Sequence, residues 1–195
     1  GFRANKDFQD ALLAEGIHIY MPTTQEWNRN EQQQLKEVSI EDLLPRDEIS
    51  IDMESVGSML HGKRILITGS AGSIGSEMVR QIAKYSPAEL ILIDTAETPQ
   101  HDIRLMMAKQ FPDIKAETIV TTICSKSRMK HIFKTYLPDY VFHAAAYKHV
   151  PMMENNPCES IQNNVYGTKI LADLAVKYGV KKFVMISTDK AVNPT

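Results

Sequence analysis

The sequence is poor in several features that define whole classes of protein. Its two cysteines, Cys124 and Cys158, are too few and too far apart for a disulfide scaffold or a structural zinc site, so free buried thiols in a reducing compartment are expected. The 22 basic and 24 acidic residues give a net charge of −2, without the basic excess that indicates nucleic acid or an anionic membrane as a partner. No stretch approaches the roughly 18 uninterrupted apolar residues of a membrane span, and no charged-then-apolar leader is present. The 43% of apolar residues is typical of one globular domain, alone or with an appendage.

The hydrophobic pattern changes near residue 60, which predicts a division of the chain there. Residues 1–60 give weak and mixed signals and are predicted to form an N-terminal appendage or linker. Within them, the pattern fits a helix over residues 7–15, a short strand over residues 16–20 and an exposed polar helix over residues 24–37. Residues 61–195 carry strong periodic signals and are predicted to form the main domain.

Short apolar runs alternate with helical patterns throughout the main domain. Two runs, residues 64–68 and 90–94, are typical of buried strands, and three more runs indicate strands at residues 118–120, 140–142 and 183–186. The segments between them have apolar residues at helical spacing, and the last segment predicts one long helix over roughly residues 157–178. Strict alternation predicts an α/β fold with a doubly wound parallel sheet in strand order 3-2-1-4-5. Such a sheet binds its ligand at the carboxyl ends of its strands, beside the switch between strands 1 and 4.

Three glycines between the first strand and the first helix of this domain have the spacing of a dinucleotide-binding turn. The segment reads Thr68-Gly69-Ser70-Ala71-Gly72-Ser73-Ile74-Gly75. Gly69 permits the tight turn, Gly72 lets the backbone approach a pyrophosphate, and Gly75 lets helix and sheet pack closely. Ser70, Ser73 and Ile74 complete the predicted cofactor-binding turn, because N–H groups at a helix N-terminus bind phosphate. A glycine-rich turn without a ligand is the alternative.

An acidic residue, Asp94, ends the second strand of the main domain. A carboxylate at this position can accept hydrogen bonds from both ribose hydroxyls of an adenosine, and it repels a 2′-phosphate. The position therefore favours NAD over NADP. The alternative is an aspartate of a strand-end turn with no ligand.

Small residues follow the fourth strand, next to the switch point. Ala144, Ala145 and Ala146 leave room for a flat ring and its phosphates, and Lys148 is a candidate for contact with a second phosphate or a sugar. Tyr147, Lys148 and His149 are expected to project from a loop over the site. For His143 and His149, a packing or loop role is an equally good explanation, because no partners at metal-ligand spacing lie nearby.

The fifth strand runs into Ser187-Thr188-Asp189-Lys190. A hydroxyl, a carboxyl and an amine in succession at a strand's carboxyl end can serve as donor, acid and base. The alternative is a polar turn without a catalytic role.

These motifs together resemble a known enzyme family. The turn Thr68-Gly69-x-x-Gly72-x-x-Gly75 is similar to the fingerprint of the extended short-chain dehydrogenase/reductases. The segments 143–151 and 186–195 resemble the nucleotide-sugar 4,6-dehydratases of bacterial polysaccharide and glycan synthesis, in particular the long, membrane-anchored UDP-N-acetylglucosamine 4,6-dehydratases. The linker Leu43-Leu44-Pro45-Arg46-Asp47 is also similar to the segment that precedes their catalytic domain. The resemblance covers roughly residues 38–195 and implies an NAD-binding Rossmann domain.

The resemblance implies an NAD-dependent lyase that acts on a UDP-sugar. NAD+ would take a hydride from sugar C4, a base would remove the C5 proton, water would leave from C6, and the hydride would return to C6. By analogy, Thr188 hydrogen-bonds the C4 oxygen, Asp189 is the acid toward the C6 hydroxyl, and Lys190 is the base at C5. The product would be a UDP-linked 4-keto-6-deoxy sugar for capsule or another polysaccharide.

The resemblance also implies a cellular setting, and the sequence departs from the family's pattern in two places. The expected setting is a homo-oligomer that forms the cytoplasmic domain of an inner-membrane-anchored protein, with membrane contact only through segments outside this chain. The family's Gly-Asp-Ile at the third strand end reads Thr121-Thr122-Ile123 here, so Thr122 and Ile123 are expected at the adenine with a weaker hydrogen bond. The family's Tyr- or Met-x-x-x-Lys helix and its C-terminal substrate lobe would follow Thr195. The 195 residues are therefore expected to be a fragment with little or no dehydratase activity alone.

Two other functions stay open. A nucleotide-sugar 4-epimerase shares the cofactor and the hydride step at C4, but it normally relies on a tyrosine in the later helix. The cluster at residues 187–190 favours dehydration, because elimination needs an additional acid and base. A non-catalytic dinucleotide-binding domain would need the three glycines and Asp94 but not Asp189 or Lys190.

Overall fold

The structure, a computed structural model, describes residues 52–187 together with the backbone of Tyr20–Pro22 and Leu35–Glu37. The chain divides into two compact units, Gly1–Ile51 and Asp52–Thr195. This division precedes the boundary predicted at residue 60, because helix α1 (Met53–Leu60) buries Leu60 in the core of the second unit. Asp52 starts α1 by accepting the N–H groups of Glu54 and Ser55 at 3.2 and 3.0 Å.

Two three-residue strands are described in the first unit. Tyr20–Pro22 pairs antiparallel with Leu35–Glu37. The helix predicted over residues 24–37 is therefore wrong at its last three positions, where pairing with a distant strand overrides a weak helical pattern. The helix predicted over residues 7–15 lies outside the described residues.

A five-stranded parallel sheet forms the centre of the second unit. Its strands are β1 (Arg64–Thr68), β2 (Glu89–Asp94), β3 (Ala116–Val120), β4 (Tyr140–His143) and β5 (Lys182–Met185). They lie side by side in the order β3-β2-β1-β4-β5, and each neighbouring pair is parallel. The predicted α/β fold with strand order 3-2-1-4-5 is confirmed.

Helices connect the strands in the way that parallel pairing requires. The connecting helices are α2 (Ser73–Ala83), α3 (Glu97–Gln110), α4 (Lys126–Tyr136), α5 (Val150–Glu154), α6 (Pro157–Ser160) and α7 (Thr168–Lys177). None of the helices described for this chain is both long and apolar enough to cross a bilayer.

The helix predicted over residues 157–178 is not uniform. A π-helix, Ile161–Gly167, separates α6 from α7. Gly167 lies directly against the Ile123 side chain, where an added Cβ would approach to 2.7 Å. The apolar periodicity predicted the helix but not its wider turns, because both helix types place apolar residues on one face.

Apolar side chains cover both faces of the inner strands β1 and β2, which explains their uninterrupted apolar runs, whereas the edge strands β3 and β5 are more exposed. On one face, Leu66 and Ile91 belong to a cluster with Phe133 of α4 and Leu171 of α7. The other cluster holds the alternate strand residues together with side chains of α1, α2 and α3, among them Ile65, Ile67, Leu90, Leu92, Val79 and Ile103. The two layers of helices hold the sheet rigid beneath its carboxyl edge.

At the opposite, amino-terminal edge of the sheet, Asp139 connects three strands. Its carboxylate accepts the Arg64 backbone N–H at 3.0 Å and the Lys181 ammonium at 3.1 Å. The Lys181 N–H in turn donates to the Asp139 carbonyl at 2.8 Å. These bonds align the amino-terminal ends of β1, β4 and β5, and therefore also the carboxyl ends of the same strands.

Replacement of a core aromatic residue tests the packing. Phe133 is fully buried, so Phe133→Ala is expected to lower the free energy of unfolding by about 3–5 kcal/mol, through lost contacts and a cavity. Val176 is 85% exposed on α7, and Val176→Ala should change it by less than about 0.5 kcal/mol. Denaturant titration of both variants checks the difference, and equal effects would contradict this description of the core.

Candidate functional site

The glycine turn after β1 is held tightly against the end of β4. Gly69 has a φ of +70° and donates its N–H to the Ile93 carbonyl at 2.8 Å. A Cβ at Gly69 would lie 2.7 Å from the backbone carbonyl of Ala144 and the nitrogen of Ala145. A side chain at this position would therefore both strain the backbone and push the β4 loop away.

The other two glycines of the turn differ in what surrounds them. A Cβ at Gly75 would lie 1.9 Å from the Gly69 carbonyl oxygen, so close packing of α2 on the turn requires this glycine. At Gly72 the nearest atom to an added Cβ is the Gly69 oxygen at 3.4 Å, which is an ordinary contact. Packing within the protein therefore does not explain the glycine at 72, and its contact with a pyrophosphate stays a prediction.

The N–H groups of the turn itself already have acceptors in the protein. Those of Gly69 and Ser70 donate to Ile93, that of Ala71 to the Asp94 carboxylate, and that of Gly72 to Gly69. The buried Ser70 hydroxyl donates to the Gln100 carboxamide at 2.9 Å. Ser70, predicted to bind the cofactor, thus has both donors engaged and joins the turn to α3.

The first turn of α2 supplies the donors that remain. Gly72 is its N-cap and offers no side-chain acceptor. The first intrahelical bond runs from Ser76 N–H to the Gly72 carbonyl at 2.8 Å, so the N–H groups of Ser73, Ile74 and Gly75 have no α-helical acceptor. The Ile74 side chain is 52% exposed, so the cofactor contact predicted for Ile74 would come from its backbone N–H. This arrangement is the one that binds anionic phosphate at helix N-termini.

Asp94 connects the glycine turn to the end of β2. One carboxylate oxygen accepts the Ala71 N–H and the other accepts the Ala96 N–H, both at 3.0 Å. These two bonds orient the carboxylate, and each oxygen keeps a further lone pair for a ligand hydroxyl.

A cleft opens at the carboxyl edge of the sheet, beside the switch between β1 and β4. Predicted residues that line it are Gly69, Gly72, Asp94, Ile123, Ala144, Ala145 and Ala146. It is also lined by Tyr147, which the sequence places in a loop over the site, and by four residues that the prediction omitted: Ile93, Thr95, Thr121 and Asn163. The first three adjoin predicted strand ends and could have been found from that position, whereas no local signal marks Asn163.

Several predicted site residues lie outside this lining, among them Ser70, Ser73, Ile74 and Gly75 of the glycine turn. Thr121 lines the cleft where Thr122 was expected, and the Thr122 hydroxyl oxygen accepts the Cys124 N–H at 3.2 Å. Lys148 lines a neighbouring depression with Met153 and Pro157, so its phosphate or sugar contact stays a prediction. Thr188, Asp189 and Lys190 lie outside the described residues. Just before them, the Ile186 N–H donates to the His143 carbonyl at 3.0 Å.

His143 is a buried bridge beneath the cleft and does not line it. Its two ring nitrogens contact the hydroxyls of Thr68, at 2.7 Å, and Thr168, at 2.8 Å. Burial lowers the pKa of His143 to about 4, so the ring is neutral near pH 7. The side chain therefore joins β1, β4 and α7, and the packing interpretation of His143 applies. Within residues 52–187, no group of three or more His, Cys, Asp or Glu side chains is arranged to hold a metal ion.

Solved structures with this architecture define the class of the domain. Pen from Bacillus thuringiensis is 28% identical with a TM-score of 0.62, over 68% of this chain and 40% of that one. The UDP-glucose 4-epimerase of Thermotoga maritima, solved with UDP-glucose, is 30% identical with a TM-score of 0.56, over 66% and 38%. WbmG from Bordetella bronchiseptica, solved with NAD, is 26% identical with a TM-score of 0.55, over the same shares. The second unit thus has the NAD-binding epimerase/dehydratase fold.

The sequence profile of the polysaccharide biosynthesis protein family matches residues 65–195, and the chain belongs to this family. The capsular polysaccharide biosynthesis protein CapD of Staphylococcus aureus is 42% identical over 93% of this chain and 31% of its own length. The inverting UDP-N-acetylglucosamine 4,6-dehydratase of Campylobacter jejuni is 36% identical over 70% of this chain and 39% of its own length. The chain therefore spans about a third of the curated relatives that it matches.

Replacing Gly72 and Gly75 singly with alanine distinguishes the effect of ligand contact from the effect of packing within the protein. Gly72→Ala should change the free energy of unfolding by less than about 1 kcal/mol but weaken NAD binding at least about tenfold, because its methyl group occupies the phosphate approach. Gly75→Ala should cost about 3 kcal/mol of stability, because its Cβ meets the backbone. Denaturant titration and NAD titration check both variants, and a Gly72→Ala variant that binds NAD normally would argue against this phosphate position.

The neutral, buried state of His143 predicts a pH dependence of stability. Its pKa is about 4 when folded and near 6.5 when unfolded, so the unfolded chain binds more protons between these values. The free energy of unfolding should therefore fall by about 2 kcal/mol from pH 7 to pH 5 through this group. The His143→Gln variant should lose this part of the pH slope, whereas His101→Gln, at an exposed position, should keep it. Equal slopes for the two variants in denaturant titrations would show that His143 is not the source.

Proposed function

We propose that this chain is the cofactor-binding part of an NAD-dependent UDP-N-acetylglucosamine 4,6-dehydratase for polysaccharide synthesis. The observation that carries the proposal is the uncapped first turn of α2, which lies beside Gly72 and Asp94 at the sheet's switch point. Membership in the polysaccharide biosynthesis family and the 36% identity to the Campylobacter jejuni dehydratase support the specific reaction.

The residues of the cleft fit a bound NAD. The open space at Gly72 admits a diphosphate to the N–H groups of Ser73 and Ile74. The oriented Asp94 carboxylate accepts ribose hydroxyls and disfavours a 2′-phosphate. On either side, Ile123 provides an apolar surface for the adenine, and the run Ala144–Ala146 leaves space for the nicotinamide end. When bound, NAD would supply the hydride acceptor and donor for sugar C4 and C6.

The residues that follow β5 would handle the protons of the reaction. Thr188 would hydrogen-bond the oxygen at C4, Asp189 would protonate the departing C6 hydroxyl, and Lys190 would remove the C5 proton. Elimination of water needs a base that acts at one carbon and an acid that acts at the hydroxyl of the neighbouring carbon. This cluster contains both kinds of group. Ile186, directly after β5, pairs with the end of β4, and this supports the roles proposed for the residues that follow.

The proposed setting has partial support from one relative. The substrate would be a UDP-sugar, and the active protein a homo-oligomer at the cytoplasmic face of the inner membrane. A relative from Methanocaldococcus jannaschii, 38% identical over 72% of this chain, is named a membrane protein. This supports attachment through other segments of the protein.

A nucleotide-sugar 4-epimerase is the second candidate. Its support is the Thermotoga maritima epimerase structure and a UDP-glucose 4-epimerase of Rickettsia akari that is 31% identical over 70% of this chain. An epimerase needs the same cleft and hydride step, so the cleft alone does not separate the two activities. The extra acid and base at Asp189 and Lys190 favour dehydration.

Product mass separates the two reactions. The full-length protein that carries these residues is expected to convert UDP-N-acetylglucosamine to a product lighter by one water, whereas an epimerase leaves the mass unchanged. Lys190→Ala should abolish this turnover and leave NAD affinity intact, because the base is lost and the cofactor cleft is retained. Lys109→Ala, at an exposed position on α3, is the matched control and should remain active. A product of unchanged mass would support the epimerase activity instead of the dehydratase activity. Full activity of Lys190→Ala would contradict the assignment of Lys190 as the base.

A further inference from the structure

Asn164 makes a reciprocal pair of hydrogen bonds with one backbone residue of the cleft wall. Its side-chain oxygen accepts the Tyr147 N–H at 2.9 Å, and its side-chain nitrogen donates to the Tyr147 carbonyl at 2.8 Å. One carboxamide thus satisfies both backbone groups of Tyr147, as a neighbouring strand would. The pairing fixes the loop after β4 at the point where it leaves the cleft.

The preceding residue reinforces this contact. The Asn163 amide donates to the Asn164 side-chain oxygen at 2.9 Å and to the Ala145 carbonyl at 3.4 Å. The Asn164 oxygen therefore accepts two N–H groups, which determines which end of its carboxamide is oxygen. Asn163 lines the cleft, whereas Asn164 does not.

Both asparagines belong to the π-helix Ile161–Gly167. Adjacent residues of a regular α-helix do not face the same neighbour, yet these two side chains reach the same loop. The widened helical turn therefore presents two consecutive amides to the residues 145–147. π-helical turns inside α-helices frequently occur at functional sites.

We propose that Asn164 is a positioning residue for the dinucleotide cleft, which sets NAD affinity by holding the wall formed by residues 144–147. The inference rests on the proposed function, because it takes NAD as the ligand of the cleft. The wall contacts the glycine turn directly, since a Cβ at Gly69 would meet Ala144 and Ala145 at 2.7 Å. A shift of the wall at Tyr147 therefore changes the width of the cleft opposite the diphosphate position.

Only a carboxamide of this length can both accept from the Tyr147 N–H and donate to the Tyr147 carbonyl. Leucine has nearly the same shape but offers neither donor nor acceptor, and it leaves both Tyr147 backbone groups without these partners. Serine makes at most one of the two bonds and leaves space for a water. The loss of wall order should therefore be largest for Asn164→Leu and smaller for Asn164→Ser.

The test measures the full-length protein in two ways, with Asn155→Leu as the matched control. Asn155 is an exposed asparagine whose amide contacts only its own short helix, at Pro151. Without NAD, hydrogen exchange of the Tyr147 amide should be about tenfold faster in Asn164→Leu than in the wild type. With NAD added, the dissociation constant should rise about tenfold in Asn164→Leu, by less in Asn164→Ser, and not in Asn155→Leu. Saturating NAD should restore turnover, which loss of folded protein would not allow.

The outcomes separate this inference from the proposed function. Failure of the wild-type protein to bind NAD would remove the proposed function itself. Normal NAD binding by a folded Asn164→Leu or Asn164→Ser variant, with the wild type binding well, would overturn the positioning role alone. A uniform rise in hydrogen exchange across the whole domain, without a local effect at Tyr147, would also overturn it.

Discussion

The close approach of two backbone segments at the carboxyl edge of the sheet is the constraint on which the site depends. The turn after β1 packs on the loop after β4 without side chains between them, and α2 packs on the same turn through Gly75. This contact puts the first turn of α2 beside the switch point, where its N–H groups have no helical acceptors. The shape of the cleft and the position of these N–H groups both depend on this contact.

Polar bridges then hold the surrounding elements in register with the turn. Asp94 binds two backbone N–H groups, Ser70 binds Gln100, and His143 connects two threonine hydroxyls on separate elements. Each bridge has its partners satisfied inside a largely apolar domain, so it specifies one arrangement rather than adding much net stability. The donors of the turn are used within the protein, and the donors of the helix remain for a ligand.

The sequence predicted those parts of the molecule that local patterns encode. Strands buried on both faces read as apolar runs, and the glycine spacing placed the turn between β1 and α2. Helix α1 escaped prediction, although Asp52 ahead of Glu54 and Ser55 is a capping signal that could have indicated it. The partners of His143 and the contact of Asn164 with Tyr147 join residues distant in the chain, and no periodicity reports such pairs.

The central claim is that the amide groups of Ser73 and Ile74 hold the diphosphate of a dinucleotide. The most direct test is backbone amide NMR of the protein during titration with NAD. The largest amide shifts are expected at residues 72–75, with smaller shifts at Asp94 and along residues 144–147. Binding that leaves residues 72–75 unshifted while other amides respond would contradict this diphosphate position.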